Sequence, residues 1–327
     1  MPSAKKTTVS LVILNYNGKE LLKIILDSIK KLTFSDYETI VVDNASTDNS
    51  VNFLKKHYPK VRIIKSKKNL GYPAINLAVP KARGKYFFYL NNDMEVRANC
   101  IGQLLKVIES DDNIAMVSPK LVNFYNRKVD FQGTWISRSF YAGYLRRRQE
   151  KDNKMKEIPY SGCAMIRKAL IKKIKYLFDP DYFLYAEDVD LGMRIRLIGM
   201  KTVYVPTSVI YHMERKTTTK VTTNARLIYL MERNLLITFF KTVSFKNILL
   251  LFPYVFIMRV LAILRDLLKL DFKAAFSRIK AILWIIFHIA LITRKRAEVQ
   301  KIRKVSDAYL LNIFNEKFLI PTATRKN

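Results

Sequence analysis

Only two cysteines occur in 327 residues, Cys100 and Cys163, and they stand far apart with no C-x-x-C pair. That excludes a disulfide framework and a thiolate zinc cluster, and it fits a reducing compartment. Nine glycines and ten prolines are too few for a collagen-like or low-complexity scaffold. No G-x-G-x-x-G follows the first apolar run, so the main signature of a nicotinamide-dinucleotide fold is missing, and no G-x-x-x-x-G-K-[ST] P-loop occurs. The opening MPSAKKTTVS has no apolar h-region, so no signal peptide is expected. Acids are also short: 27 Asp and Glu stand against 58 Lys and Arg, a formal net charge of +31.

What is present is a chain that is half hydrophobic, which rules out wholesale disorder, and long enough for about two globular units. The excess positive charge calls for nucleic acid, an anionic membrane surface or phosphorylated small molecules. Between Lys241 and Lys304, fourteen Lys and Arg face three acids, in the same stretch as the longest apolar runs. Cations interleaved with bulky apolar side chains suit a lipid headgroup boundary better than a duplex groove, so nucleic acid is not the expected partner.

The first hundred residues alternate strand and helix patterns. Val9–Leu14, Thr39–Val42, Val61–Ile64 and Tyr86–Leu90 read as strands, with helices over Glu20–Leu32, Asp48–His57 (capped by Ser46 or Asp48) and Ala74–Ala82. Strands apolar on both faces with intervening helices predict an α/β fold with a mainly parallel sheet. Ligands of such sheets bind beyond the carboxyl ends of the strands. Those ends are polar here: Asn15-Tyr16-Asn17-Gly18, Asp43-Asn44-Ala45-Ser46 and Asn91-Asn92-Asp93. Asp43 is suited to a nucleobase N–H or a ribose hydroxyl, although Asp also favours strand-end turns. Tyr16 can offer a ring face to the same base. Asn69-Leu70-Gly71 precedes a predicted helix and could turn backbone N–H groups toward a phosphate.

Two further features carry chemistry. Asp93 ends an aromatic strand, and carboxylate oxygens suit a hard divalent cation such as Mg²⁺ or Mn²⁺. His212, one of three histidines, ends a predicted strand and could complete that site. Glu187, Asp188 and Asp190 open a predicted helix behind the aromatic run Tyr182–Tyr185. Acids at a helix start complement its dipole; acids shielded from water can also have a raised pKa and act as general bases.

The segments VSLVILNYNG, VVDNASTDNS, NLGYPAINLA, YFFYLNNDMEV and FLYAEDVDLGMRIRLIGMKTVYVPTSVIYH resemble, in order and spacing, family 2 inverting glycosyltransferases, closest to rhamnosyltransferase-like members, over roughly residues 7–240. The resemblance implies a GT-A fold, a nucleotide-sugar-binding half (1–120) followed by an acceptor half (121–233); charge and apolar runs add a helical tail (234–327) whose removal is expected to leave a nucleotide-binding core. It implies a nucleotide-diphosphate sugar as donor, a glycan or polyprenyl-linked glycan as acceptor, and a divalent cation. Residue by residue, Asn15, Tyr16, Asp43, Asn69, Gly71 and Asn92 would contact the donor. Asp93 and His212 would serve the metal, and Asp188, paired with Glu187, would be the base. Asn91 departs from the pattern by replacing the first carboxylate of the D-x-D position.

Apolar runs at Ile248–Leu264 and Ala281–Thr293 are flanked by cations. They are expected to lie in one leaflet at the inner, cytoplasmic face of the cell membrane; a buried helical extension and a spanning hairpin are the alternatives. The rival function is a basic membrane- or RNA-binding scaffold on a catalytically inactive GT-A fold. Residues 121–160, which would shape the acceptor site, carry no interpretable motif.

Overall fold

The computed structural model describes residues 7–145, 154–213 and 223–314; residues 1–6, and residues 146–153 within the expected acceptor segment, lie outside them. The run VSLVIL meets no charge or glycine, and it forms β1 (Val9–Asn15), almost wholly buried. β1 pairs in parallel with β2 (Tyr37–Asp43) on one side and with Tyr86–Asn91 on the other, and β2 pairs in parallel with β3 (Arg62–Lys65). With Tyr86–Asn91 as β4, the order is β3-β2-β1-β4, so the chain changes direction across β1 and opens a crevice at the carboxyl ends of β1 and β4.

The sheet continues past β4 through β11 (Ala164–Arg167), β6 (Ile114–Asn123), β12 (Lys201–His212) and β10 (Lys156–Ile158). Here β6 and β12 are parallel, while β11 runs against both β4 and β6 and β10 runs against β12. The parallel expectation therefore holds for the first four strands, and the sheet as a whole is mixed. β5 (Met94–Val96) pairs with β12, β7 (Val129–Phe131) with β6, and β8 (Thr134–Ile136) forms a separate hairpin with β9 (Ala142–Tyr144). The boundary expected at residue 120 falls inside β6, because both halves share one sheet.

Alternation along β1 divides the core. Val9, Leu11 and Ile13 pack with α1 (Lys19–Ile29) and α3 (Cys100–Ile108), whereas Val12 joins Ile40 and Val42 on the other face. α2 (Ser50–His57) starts after a left-handed Asn49, φ 64°. Neither Ser46 nor Asp48 occupies the cap position, although Asp48 still accepts from the Ser50 N–H at 3.1 Å. The helix expected over Ala74–Ala82 is a 3₁₀ turn over Tyr72–Ala78. Pro73 starts it, and the Asn76 side chain bonds both the N–H and C=O of Phe178, which pulls the turn toward the second half.

After α4 (Lys168–Lys173), α5 (Glu187–Leu197) has all eleven residues buried. One face packs under the sheet through Leu191 and Ile195, and the other packs through Val189 and Met193 on C-terminal helices. Those helices are α6 (Asn224–Thr242), α7 (Phe245–Leu268), α8 (Phe272–Phe287), α9 (Ile289–Gln300) and the short α10 (Asp307–Leu311). The tail expected from residue 234 begins mid-way along α6. Lys241, fully buried, sits 2.5 Å from Asp179 and 2.7 Å from Asp190. Lys295 on α9 reaches Asp179 at 2.6 Å.

Candidate active site

The β1/β2 register sets Asn15 beside Asp43, and the β1/β4 register sets Leu14 beside Asn91, so three polar strand ends meet at the crevice. Asn15 is their hub. It donates to Asp43 Oδ1 and to Ser46 Oγ, both at 3.2 Å, and accepts from Asn92 Nδ2 at 2.8 Å. Asp43 is 2% exposed, and its Oδ2 accepts from the Ser46 N–H at 3.2 Å. Tyr16, Asn44, Asn69, Gly71, Asn91, Asn92 and Asp93 line the cleft above this network. Asn44, not assigned a role from the sequence, is its cleft-side amide, while Asp43 holds the loop in shape.

Asn69 and Gly71 reach the cleft in a different role from that expected. Leu70 N–H is taken by Asn44 Oδ1, Gly71 N–H by Asn69 Oδ1 and Tyr72 N–H by the Phe183 carbonyl, all at 2.9 Å. The N–H groups of Leu70, Gly71 and Tyr72 are thus spent on closing the loop, through the Asn44 and Asn69 side chains and the Phe183 carbonyl, and not on a phosphate. Gly71 has φ +68° and stands where a Cβ would lie 1.8 Å from the Phe183 oxygen, so only glycine permits the closure.

A second cleft shares Asn91 with the first and is lined by Asp130, Phe131, Tyr144, Ser161, Gly162 and His212. His212 at the end of β12 lies with Nε2 3.4 Å from Asp93 Oδ1 and Nδ1 3.9 Å from Asp130 Oδ2. Burial disfavours charge on this imidazole, but hydrogen bonding to Asp130 and Asp93 outweighs it and lifts the pKa to about 9. Asp93 is 5% exposed, and apart from the 3.4 Å approach of His212 its Oδ1 has no hydrogen-bond partner among the described residues. A buried carboxylate whose Oδ1 has only a long approach from a histidine fits a hard cation. Yet no three His, Cys, Asp or Glu groups among the described residues are disposed to hold a metal unaided. A cation here would need ligands from elsewhere.

Glu187 and Asp188 begin α5, with side chains almost buried. Asp188 Oδ1 accepts from the Val189 N–H at 2.8 Å, and Oδ2 lies 3.5 Å from the Tyr144 hydroxyl. Burial dominates and raises the Asp188 pKa to about 6, while burial and the adjacent Asp188 push Glu187 well above the carboxylate range. A Cβ on Gly162 would come within 3.3 Å of Asp188 Oδ2, so glycine leaves room beside this oxygen, and Gly162 itself lines the second cleft. Gly162 is held in place through its own carbonyl by Tyr72 at 2.7 Å, and the Ser161 carbonyl by Tyr89 at 2.8 Å. The third acid of the run is set apart. Asp190 pairs with Arg194 at 2.8 Å and with Lys241, which makes it structural.

The turn into α5 passes through Tyr185 and Ala186, both left-handed at φ 67° and 63°. Each costs about 1–2 kcal/mol in a non-glycine residue. Fully buried Asn234 on α6 offsets this by donating to the Leu184 and Tyr185 carbonyls at 3.1 and 2.7 Å. Its own Oδ1 accepts from Arg233 at 2.8 and 2.9 Å. Asp130, Tyr144, Gly162 and Asn234 had no sequence signal as site residues, since each lies outside a recognisable spacing; Gly162 in Ser161-Gly162-Cys163 was the one visible irregularity.

Residues 10–175 match the family profile described as Glycosyl transferase family 2. An uncharacterized glycosyltransferase of Haemophilus influenzae is 24% identical over 223 residues, covering 65% of this chain and 68% of that one. The N-acetylglucosaminyl-diphospho-decaprenol L-rhamnosyltransferase of Mycobacterium tuberculosis is also 24% identical, covering 62% of this chain and 75% of the relative. Among solved structures, GalNAc-T7 with UDP, GalNAc and Mn²⁺ superposes with a TM-score of 0.63 at 17% identity, covering 79% of this chain. The S. aureus TarS 1–349 complex with UDP superposes with a TM-score of 0.52 at 17% identity, covering 72% of this chain. These likenesses establish a GT-A-like fold; the chain spans 51% of the first structure and 66% of the second.

Proposed function

The chain belongs to glycosyl transferase family 2, and from that premise we propose that it is an inverting, cation-dependent transferase moving a sugar from a nucleoside diphosphate to a glycan hydroxyl. The observation that carries this reading is the pair of clefts meeting at Asn91, with Asp93 on one wall and the Tyr144 and Gly162 neighbours of Asp188 on the other. One cleft receives the nucleoside, with Tyr16 and Asn44 at its wall and Asp43 shaping the loop; the other receives the reacting sugar and acceptor.

Asp188, ionised above about pH 6, takes the proton from the acceptor hydroxyl. The oxygen forms its bond to the anomeric carbon as the bond to the diphosphate breaks, and the configuration inverts in that single displacement. Glu187, protonated beside it, keeps the pair from carrying two charges. A Mg²⁺ or Mn²⁺ ion held by Asp93, with His212 giving up its proton to join it, would supply positive charge to the leaving diphosphate. No proton donor is then needed on the leaving side, so one base suffices.

The named activity of the mycobacterial relative supports a rhamnosyl donor and a polyprenyl-linked acceptor. In this reading the enzyme works at the cytoplasmic face of the cell membrane. The test is a thermal-shift screen of nucleotide sugars with and without Mn²⁺, followed by transfer assays on the stabilising donor. A donor that raises the melting temperature only with cation is the expected result. Salt-sensitive RNA binding with no response to any nucleotide sugar would replace this reading by the scaffold.

A further inference from the structure

The outward face of the first two helices after residue 244 is apolar, unlike the surface of a soluble domain, and charged side chains stand among the apolar ones on the inward face. α7 buries Arg259 and Asp266 and turns Leu249, Phe256 and Leu264 outward, 62%, 42% and 48% exposed. Arg259 donates to the Ser139 and Phe140 carbonyls at 2.6 and 3.2 Å, and Asp266 accepts from Arg278 of α8 at 2.7 Å. The charges thus lie between the helices and the enzyme. Of 22 exposed large hydrophobic residues among those described, nineteen fall between Phe245 and Ile289. A patch of that extent is beyond what a soluble monomer ordinarily leaves to water.

From this we propose that the α7–α8 hairpin lies in one leaflet of an anionic bilayer, with its outer face among the acyl chains. Charge selects lipid over a second copy of the chain. Lys246, Lys269, Lys273, Lys280 and Arg294 are exposed in the same region, which complements anionic headgroups and would repel an identical surface. The fastening of the inner face selects one leaflet. α7 has 24 residues, about 36 Å of helix and enough to cross a bilayer, but crossing would strip Arg259 from its carbonyls. α8 and α9 diverge by 73°, and α9 is tied back to the core by Lys295 on Asp179 and Arg296 on the Phe240 carbonyl at 2.5 Å. The inference names the surface at which the proposed transfer takes place, and its test reads binding, so it can fail while the transfer reading stands.

The test is flotation of the full chain with phosphatidylcholine vesicles containing or lacking phosphatidylglycerol, at 0.1 and 1 M NaCl. Preference for the anionic vesicles with partial retention at high salt is expected, since screening weakens the headgroup attraction and leaves the apolar contact. Phe256→Glu combined with Phe276→Glu alters only exposed positions and should cut the vesicle-bound fraction at least tenfold with an unchanged melting curve. Wild-type protein that ignores both vesicle types, or a double variant that floats like wild type, overturns the proposal. So does a chain that forms a dimer dissolved by the same two substitutions without binding vesicles. A cysteine at Lys269, exposed just past the end of α7 and at headgroup level in this geometry, should react with impermeant maleimide added outside the vesicles; reaction only from the lumen would mean a span and would equally reject the leaflet geometry.

Discussion

Asp188 is held in a place that disfavours its own charge. Burial lifts its pKa from 3.8 to about 6, so above that pH the folded state carries an ionised carboxylate the unfolded chain would solvate better. The sign follows from the raised value: the penalty is absent below about pH 4, grows to about pH 6 and is constant beyond. Asp188→Asn should therefore reduce transfer by several orders of magnitude yet stabilise the fold at pH 8 by up to about 3 kcal/mol, and not at pH 3.5. Paired melting curves at the two pH values check this, and unchanged stability with retained turnover would remove Asp188 as base. Wild-type transfer should fall as pH drops through about 6, where the base becomes protonated. Asp93→Ala should remove the cation-dependent part of donor binding, whereas Asp43→Ala should weaken donor binding with or without cation. Identical metal titrations of wild type and Asp93→Ala would reject the metal assignment.

At the scale of elements, Glu187 and Asp188 owe their position to a strained turn and the helix that restrains it. Asn234→Ala removes two hydrogen bonds from the turn carrying left-handed Tyr185 and Ala186. Transfer should fall ten- to a hundredfold in kcat with donor KM nearly unchanged, because the nucleotide cleft is built from other strands. In an Asp188→Asn background the same substitution should cost almost nothing further; an additive loss would show that Asn234 acts elsewhere. The strands were legible in the sequence because continuous β-branched and aromatic runs, such as Tyr86–Leu90, can be satisfied only in a sheet core. The Asn69–Gly71 turn was legible as a turn and not as a packing device, since the Phe183 carbonyl against which Gly71 packs and which takes the next N–H, that of Tyr72, lies more than a hundred residues away. The antiparallel β11 was hidden for a similar reason. Its pairing partners, not its composition, set its direction.

For the whole molecule, composition alone gave the C-terminal region the look of an appendage, with charge and apolar runs in excess. Its buried lysines show otherwise. Asp179 is buried, with a pKa held below the usual carboxylate range against the opposing effect of burial by Lys241 and Lys295. Asp190 stands between Arg194 and Lys241. Deleting residues after 233 would leave Asp179 without either lysine in a desolvated setting, which costs about 3–5 kcal/mol for each broken buried pair. It would also strip the packing of α6 from α5, whose eleven residues are all buried, and the Asn234 bonds from the catalytic turn. The truncated chain should therefore be insoluble or lack a cooperative melt, and Lys241→Met in the full chain should lower stability by about 3–5 kcal/mol in urea denaturation. Lys241→Met paired with Asp179→Leu should recover part of that loss, because the uncompensated charge goes with its partner. A soluble 1–233 fragment that melts cooperatively and binds a nucleotide sugar would show the C-terminal helices to be dispensable to the core.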